Sequence, residues 1–428
     1  MAPSVVQMRT AAETALIEWF EAEAPALVGA AEERAAAMER FKAQGLPGRR
    51  VESYHYTDLR SVMRSLAPSA TSSATSVPAA LFEGLGGHRL VFVDGRFTQD
   101  AETPAELTIQ PLQDALKVGL TPGRAMGKAS DVVVDLNTAL MRDGAYIRVA
   151  GNTALPEPLV LDFIQTAHEA NAILARVIIE VGAGSTLTIV ETHRGKASLA
   201  YQSNTMVELV LGEGARVEHI RVNEAGDRAL VLSTLAARLE GGSALSSLSF
   251  SSGGETVRQQ SFITYAGENA SLDLRGATMI RGRQHCDNTL VVDHAVPNGI
   301  SRELFRTVAD DEAHGVFQGK IIVRPHAQKT DGQMASNALL LGDEAAMSNK
   351  PELEIFADDV VCAHGATCGS LEESQLFYLM ARGLPRPQAE ALLVEAFLGE
   401  VLEAVSGEAL RDSLSARISE WLAARQAA

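Results

Sequence analysis

The sequence has 428 residues, 46% of them hydrophobic and 5% aromatic, and a formal net charge of −17. Such a length exceeds one ordinary core and predicts two or three domains, while the hydrophobic fraction excludes a disordered chain. An acidic surface is repelled by nucleic acid and by anionic membrane, no apolar run approaches the roughly 18 residues of a membrane helix, and three cysteines make no disulfide framework. The expectation is a soluble protein of a reducing cytoplasm. The start, MAPSVVQMRTAAETALIEWF, lacks the cationic segment and apolar core of a signal peptide, so none is expected.

Residues 10–44 read as helix, rich in Ala, Glu, Leu and Met, with Trp19, Phe20, Leu27 and Phe41 as buried candidates and Pro25 dividing the run in two. Ser65 to Ala80 is rich in Ser, Ala, Thr and Pro and reads as a linker. Strand-like segments begin near Arg89 with LVFVDG, followed by AYIRVAG. From Pro158 a template recurs: an alternating apolar run, a turn with Gly and a small residue, then a second alternating run. The turn glycines Gly182, Gly212, Gly241 and Gly267 lie 30, 29 and 26 positions apart. One such unit cannot bury its own apolar face, so neighbours must stack, which predicts a β-solenoid or β-helix. A β-sandwich shares the alternation without the regular repeat length and is the structural alternative. The tail returns to helix. Ser370-Leu-Glu-Glu373 has the form of a capping box, Leu376, Phe377, Leu379 and Met380 follow at helical spacing, and Gly383 is a candidate C′ residue. Further helices are expected over Gln388–Val405 and around Leu410, Leu414, Ile418, Trp421 and Leu422. The division is therefore 1–80 (helical region and linker), 81–369 (β-helix core) and 370–428 (helical domain).

Cys362, His364 and Cys368 put two thiols and an imidazole within seven positions. On an extended strand Cys362 and His364 point to the same side, and thiolate with imidazole suits iron or zinc. Buried thiols and a hydrogen-bonded imidazole are the plainer account of spacing alone. A closed zinc site takes four ligands, and Cys286 with His285, or His294, completes a set only if folding brings them near. His285, His314 and His326 read as satisfied structural groups. The acidic clusters Asp310-Asp311-Glu312, Glu352/Glu354 and Asp358-Asp359 read mainly as a solvated face. Gly123-Arg-Ala-Met-Gly127-Lys128 lacks the spacing and the hydroxyl of a phosphate loop, and Gly182-Ala-Gly184 lacks the third glycine of a dinucleotide fingerprint. Any nucleotide hydrolysis must come from a partner.

PELEIFADDV, then Cys362-Ala363-His364-Gly365-Ala366-Thr367, then SQLFYLMARGL, together with DGQMASNALLL at Asp331–Leu341, resemble the C-terminal core of the SufB/SufD family of iron–sulfur cluster assembly proteins. Cys-x-His-Gly-Ala-Thr is closer to the SufD branch. The resemblance is strong over about residues 300–405, weaker over the repeats, and hardly present in the first hundred residues. It implies a right-handed parallel β-helix flanked by helical ends. It also implies a non-enzymatic scaffold subunit that meets a SufB-like paralogue and a SufC-like ATPase, holds no cofactor stably and handles iron or a cluster transiently. His364 occupies the position implicated in cluster or iron handling, Cys362 fits the pattern, and Cys368 stands where relatives often carry an apolar residue. Leu376, Phe377 and Met380 are the candidate contacts for the ATPase. A self-dimer of the isolated chain is expected as well. Two other classes fit the same bare features: a β-helix enzyme acting on polysaccharide, and a purely structural self-assembling solenoid.

Overall fold

The computed structural model describes residues 8–70, 77–99 and 104–427. The middle of the expected linker, residues 71–76, lies outside them. The helical start is present as Ala11–Glu23 and Ala31–Gln44, separated around Pro25. The first is closed by a capping box that the sequence reading had not singled out: Thr10 Oγ1 accepts from the Glu13 N–H at 3.2 Å and Glu13 Oε2 accepts from the Thr10 N–H at 2.6 Å.

From Ala172 onward the strands alternate between a nine-stranded and a ten-stranded sheet, each pairing in parallel with the strand two before it. In the nine-stranded sheet Ala172 stands beside Gln202, then Leu230, Thr256, His285, His314 and Ala346, steps of 30, 28, 26, 29, 29 and 32 residues. These steps are the sequence period, and they make a parallel solenoid of about eight turns. The sandwich alternative falls, because sandwich sheets are antiparallel. Alternation then decides what each turn buries. Ile179, Leu209, Ala237 and Ile263 stack from turn to turn inside one sheet, against Leu187, Val217, Leu245 and Leu272 of the other. At the corners the backbones meet. A Cβ on Gly182 would sit 2.5 Å from the Gly151 nitrogen, which is why a side chain is excluded there, while Gly184 has φ +68°.

The outer faces of both sheets are covered. Helices Arg386–Leu402 and Glu408–Ala427 lay Val394, Leu398, Leu414 and Trp421 over Val190, Ile220, Val222 and Phe250. On the other sheet, Leu174, Leu230 and Leu232 pack under Phe41, Met38, Val133 and Leu136. The last two belong to Val132–Leu140, a helix the sequence reading passed over, as it did Leu112–Lys117. All nine residues of Val132–Leu140 are buried, Asp135, Asn137 and Thr138 included, so it has no solvent-facing side to set its period against the strands around it. The Gly123–Lys128 segment forms a turn containing the short 3₁₀ helix Arg124–Met126, as expected.

Two end signals of the tail fared differently. Gly383 sits at φ +91° beyond Glu373–Ala381 and its N–H donates to the Met380 carbonyl at 3.0 Å. The Ser370–Glu373 capping box does not form. The helix begins at Glu373 with no side-chain cap, and the Glu373 carboxylate is taken by Arg386 at 2.9 Å. The last helices span Arg386–Leu402 and Glu408–Ala427. Among the described residues no helix is long and apolar enough to cross a membrane.

A buried charged cluster fastens the N-terminal segment to the nine-stranded sheet. Arg258 and Asp287 are fully buried and paired, and the guanidinium lies 4.0 Å over the Tyr54 ring. The Tyr54 hydroxyl donates to Asp131 at 2.8 Å, and the Thr57 hydroxyl donates to Asp287. Asp287→Ala leaves Arg258 buried without its carboxylate. It is expected to cost about 3–5 kcal/mol of unfolding free energy and to expose residues 52–57 to protease, checked by urea titration and limited proteolysis.

Candidate functional site

The last strand of the solenoid, Val361–Gly369, pairs along one edge with Asp331–Leu340 and along the other with no described strand. Register places Cys362 beside Gly332 and His364 beside Met334. Followed inward, Cys362 continues the column Leu272, Ser301, Gly332, and His364 continues Leu274, Glu303, Met334. Their inner neighbours Ser301, Glu303 and Met334 are buried. Cys362 and His364 are thus core-facing positions of a turn on which no further turn is stacked. Cys362 is half-buried against the core, and His364 is exposed. Burial pushes the Cys362 thiol up, with Asp331 and Glu303 adding to the effect. Ile355, Phe356 and Val361 are exposed apolar side chains at the same end.

The two alternating positions, Cys362 and His364, come together on one face, as strand geometry requires. Cys368 does not join them. It lies on the same strand four residues beyond His364, about 13 Å along an extended backbone, and is exposed. Cys286 is buried two strands inside the other sheet's edge, and burial raises its thiol to about 12. His285 Nε2 lies 2.9 Å from Thr57 Oγ1, His314 Nε2 2.9 Å from Ser348 Oγ, and His294 Nε2 3.1 Å from Ser301 Oγ. These imidazoles are engaged locally and do not complete a ligand set. Among the described residues no three His, Cys, Asp or Glu side chains converge on an ion position. What the chain presents is a thiol and an imidazole on one face of a strand whose outer edge meets no described strand. The acidic clusters are largely ion-paired: Asp310 with Arg425, Glu352 and Glu354 with Lys320, and Asp359 with Lys329.

Of the three residues expected to meet an ATPase, Leu376 is 1% exposed and has no surface to offer. The same helix turns Phe377, Tyr378 and Met380 outward, at 73%, 57% and 41% exposure. Tyr378 was missed because it falls off the apolar spacing that singled out its neighbours.

Glu303 was missed as well. It faces the solenoid interior two strands in from His364, and both carboxyl oxygens lack a hydrogen-bond partner. Burial raises it to about 8, against the smaller opposing effects of Ser301 and Arg302. The signal was present in ISRELFRTVA, where alternation puts Ser301, Glu303 and Phe305 on the inward face.

Residues 163–397 match the family description "SUF system FeS cluster assembly, SufBD core domain", and residues 17–66 match "SufBD protein N-terminal region". The second match falls where the sequence reading found hardly any resemblance. The chain is 30% identical over 424 residues to the iron-sulfur cluster assembly protein SufD of Escherichia coli (strain K12), covering 95% of this chain and 97% of that one. An iron-sulfur cluster assembly SufBD family protein of Synechocystis is 30% identical over 396 residues, covering 87% of each. The iron-sulfur cluster assembly protein SufD of Bacillus subtilis (strain 168) is 27% identical over 340 residues, covering 74% of this chain and 77% of that one.

The raised Glu303 carboxyl gives a pH dependence of defined sign. Its folded value lies above the ordinary carboxylate value, so the native state holds a proton that the unfolded chain has released. The stability this contributes is full below about pH 4.5 and is lost as pH rises to about 8. Glu303→Gln is expected to match the wild type at low pH and to exceed it by a few kcal/mol above pH 8, measured by denaturant titration at pH 5 and pH 8.5.

Proposed function

This chain belongs to the SufB/SufD family of iron–sulfur cluster assembly proteins, in its SufD branch, and from that premise we propose that it is a non-enzymatic scaffold subunit working in the cytoplasm with a SufB-like paralogue and a SufC-like ATPase. The observation that carries the proposal is the placing of Cys362 and His364 on one face of the last strand, whose outer edge meets no described strand. A closed metal site would have its ligands inside the chain. Here a thiol and an imidazole stand at an open edge, so further ligands come from whatever covers that edge. Unpaired strand donors and acceptors, with Ile355, Phe356 and Val361 exposed beside them, favour a second β-edge as that cover. In the cell this is the SufB-like paralogue. In the purified chain it is a second copy, through the same surface.

Iron or a nascent cluster is the cargo of this interface. A neutral imidazole ligates iron at neutral pH, and the Cys362 thiol gives up its proton when a metal binds it. The raised thiol keeps Cys362 protonated until metal arrives, which suits transient handling better than permanent storage. Phe377, Tyr378 and Met380 form an exposed apolar patch on Glu373–Ala381 and serve as the dock for the ATPase.

His364→Ala is expected to leave the fold and the complex intact, since the side chain is exposed, and to lower iron and sulfide per anaerobically purified complex severalfold. Cys368→Ala is expected to leave both near the wild-type level. Unchanged metal content in His364→Ala, with full complementation of a strain lacking the subunit, would reduce the chain to an architectural role. For the ATPase dock, Phe377→Ser combined with Met380→Ser is expected to abolish co-purification of a SufC-like subunit. Point changes are the right probe, because the tail helices also cover the apolar face formed by Val190, Ile220 and Phe250.

A further inference from the structure

We infer that the solenoid interior binds a file of water molecules along a polar seam between its two sheets, running from Gln165 to Gln259. The inference concerns the middle of the solenoid and is independent of the reading given to Cys362 and His364.

The interior is divided lengthwise. At one side the inward columns of the middle turns are aliphatic, Ile179, Leu209, Ala237 and Ile263 facing Leu187, Val217, Leu245 and Leu272. At the other side the nine-stranded sheet contributes the column Thr205, Ser233, Gln259, Asn288. The ten-stranded sheet contributes Glu191, Arg221, Ser249 and, beside it, His193, Asn223, Ser251, Thr278. Every one of these side chains is buried. Direct bonds join the two sheets at intervals: Arg221 Nη1 donates to Ser233 Oγ at 3.0 Å, and Asn288 Nδ2 donates to Thr278 Oγ1 at 3.1 Å.

The protein does not supply partners for the rest. Gln165 Oε1, Thr205 Oγ1, Arg221 Nε, Asn223 Oδ1 and both amide atoms of Gln259 are buried without a hydrogen bond. Buried polar groups are nearly always satisfied, and these fall on neighbouring strands of the same seam. At the Gln165 end there is room as well: a cavity of about 20 Å³ is lined by Gln165, His193, Ser203 and Thr205, enough for a water molecule.

The chemistry of the unpaired atoms selects the ligand. Arg221 Nε and Gln259 Nε2 donate, whereas Gln165 Oε1, Asn223 Oδ1 and Gln259 Oε1 accept. An anion would answer only the donors and a cation only the acceptors. Water answers both. Nor does the seam call for a counter-ion. Glu191 takes His193 Nε2 at 2.6 Å and His219 Nε2 at 2.8 Å, and stands beside Arg221 in register. Burial alone would raise Glu191, but the two imidazoles hold it well below the usual carboxylate range. Toward the open end, Phe305 follows Gly276 in the Arg221 column. Its ring fills the space that Gly276 leaves and meets Phe317 at 4.9 Å, closing the seam on that side.

The test uses the intact chain. A crystal structure at about 1.5 Å should show ordered density within hydrogen-bond distance of Thr205 Oγ1 and of the Gln259 amide. Thr205→Val and Gln259→Met remove the polar atoms while keeping most of the volume. In a hydrated seam each breaks water bonds and lowers Tm by roughly 1–3 °C. In a dry seam each deletes an unsatisfied buried group and raises Tm. Density at both sites with lowered Tm supports the inference. Absence of density in the wild type, or a rise in Tm for either variant, overturns it. If a variant fails to fold, the wild-type density at its site decides alone.

Discussion

Parallel stacking in strict register is the constraint on which everything else in this molecule depends. Each turn satisfies the backbone of the turn before it, so a residue's neighbours inside the solenoid are the residues one period earlier and later. The side-chain columns follow without further choice. Leu211, Leu239 and Tyr265 are brought together because they occupy one step of successive turns. The same rule accounts for the glycines at the corners, where backbone approaches backbone closely enough to exclude a Cβ.

A stack of this kind has ends, and its two ends are treated differently. At the first end antiparallel strands terminate the parallel stack, Arg96–Gln99 on His88–Val93 and Leu107–Pro111 on Asp143–Val149. The other end carries no such closure. Its last strand has one edge that meets no described strand, and of Cys362 and His364, which one turn deeper would have been core side chains, the first is left half-buried and the second exposed. The position of the candidate site is thus a consequence of where the stacking stops, and its chemistry a consequence of which residues occupy the final turn.

The interior is also less uniform than a β-helix made of aliphatic ladders. Glu191, Arg221, Asn223 and Gln259 all face inward and are all buried. They are inward for the same geometric reason as their aliphatic neighbours. Polar residues at inward positions read in the sequence as interruptions of the alternation, and only stacking shows that the interruptions align from turn to turn into a seam.

Much of this was legible in the residues. Period-2 alternation and turn glycines recurring at 26–30 positions identify a stacked β architecture, because both are local consequences of how a strand and a corner are built. The pairing of Cys362 with His364 follows from strand geometry alone, and so does the separation of Cys368 from them. Other features were not legible. The helix Val132–Leu140 has no solvent-facing side, because all nine of its residues, polar Asp135, Asn137 and Thr138 included, are buried. Ser370 and Glu373 have the letters of a capping box, but Arg386 claims the carboxylate. Leu376 and Phe377 are adjacent apolar residues on one helix, yet one is buried and the other exposed. The chain by itself determined the repeat, the strand faces and the placing of Cys362 and His364 on one face, since these depend on neighbours a few residues apart. Tertiary structure alone decided which faces are covered, which charges find partners and which turn is last, since these depend on residues separated by one period or by the whole length of the solenoid.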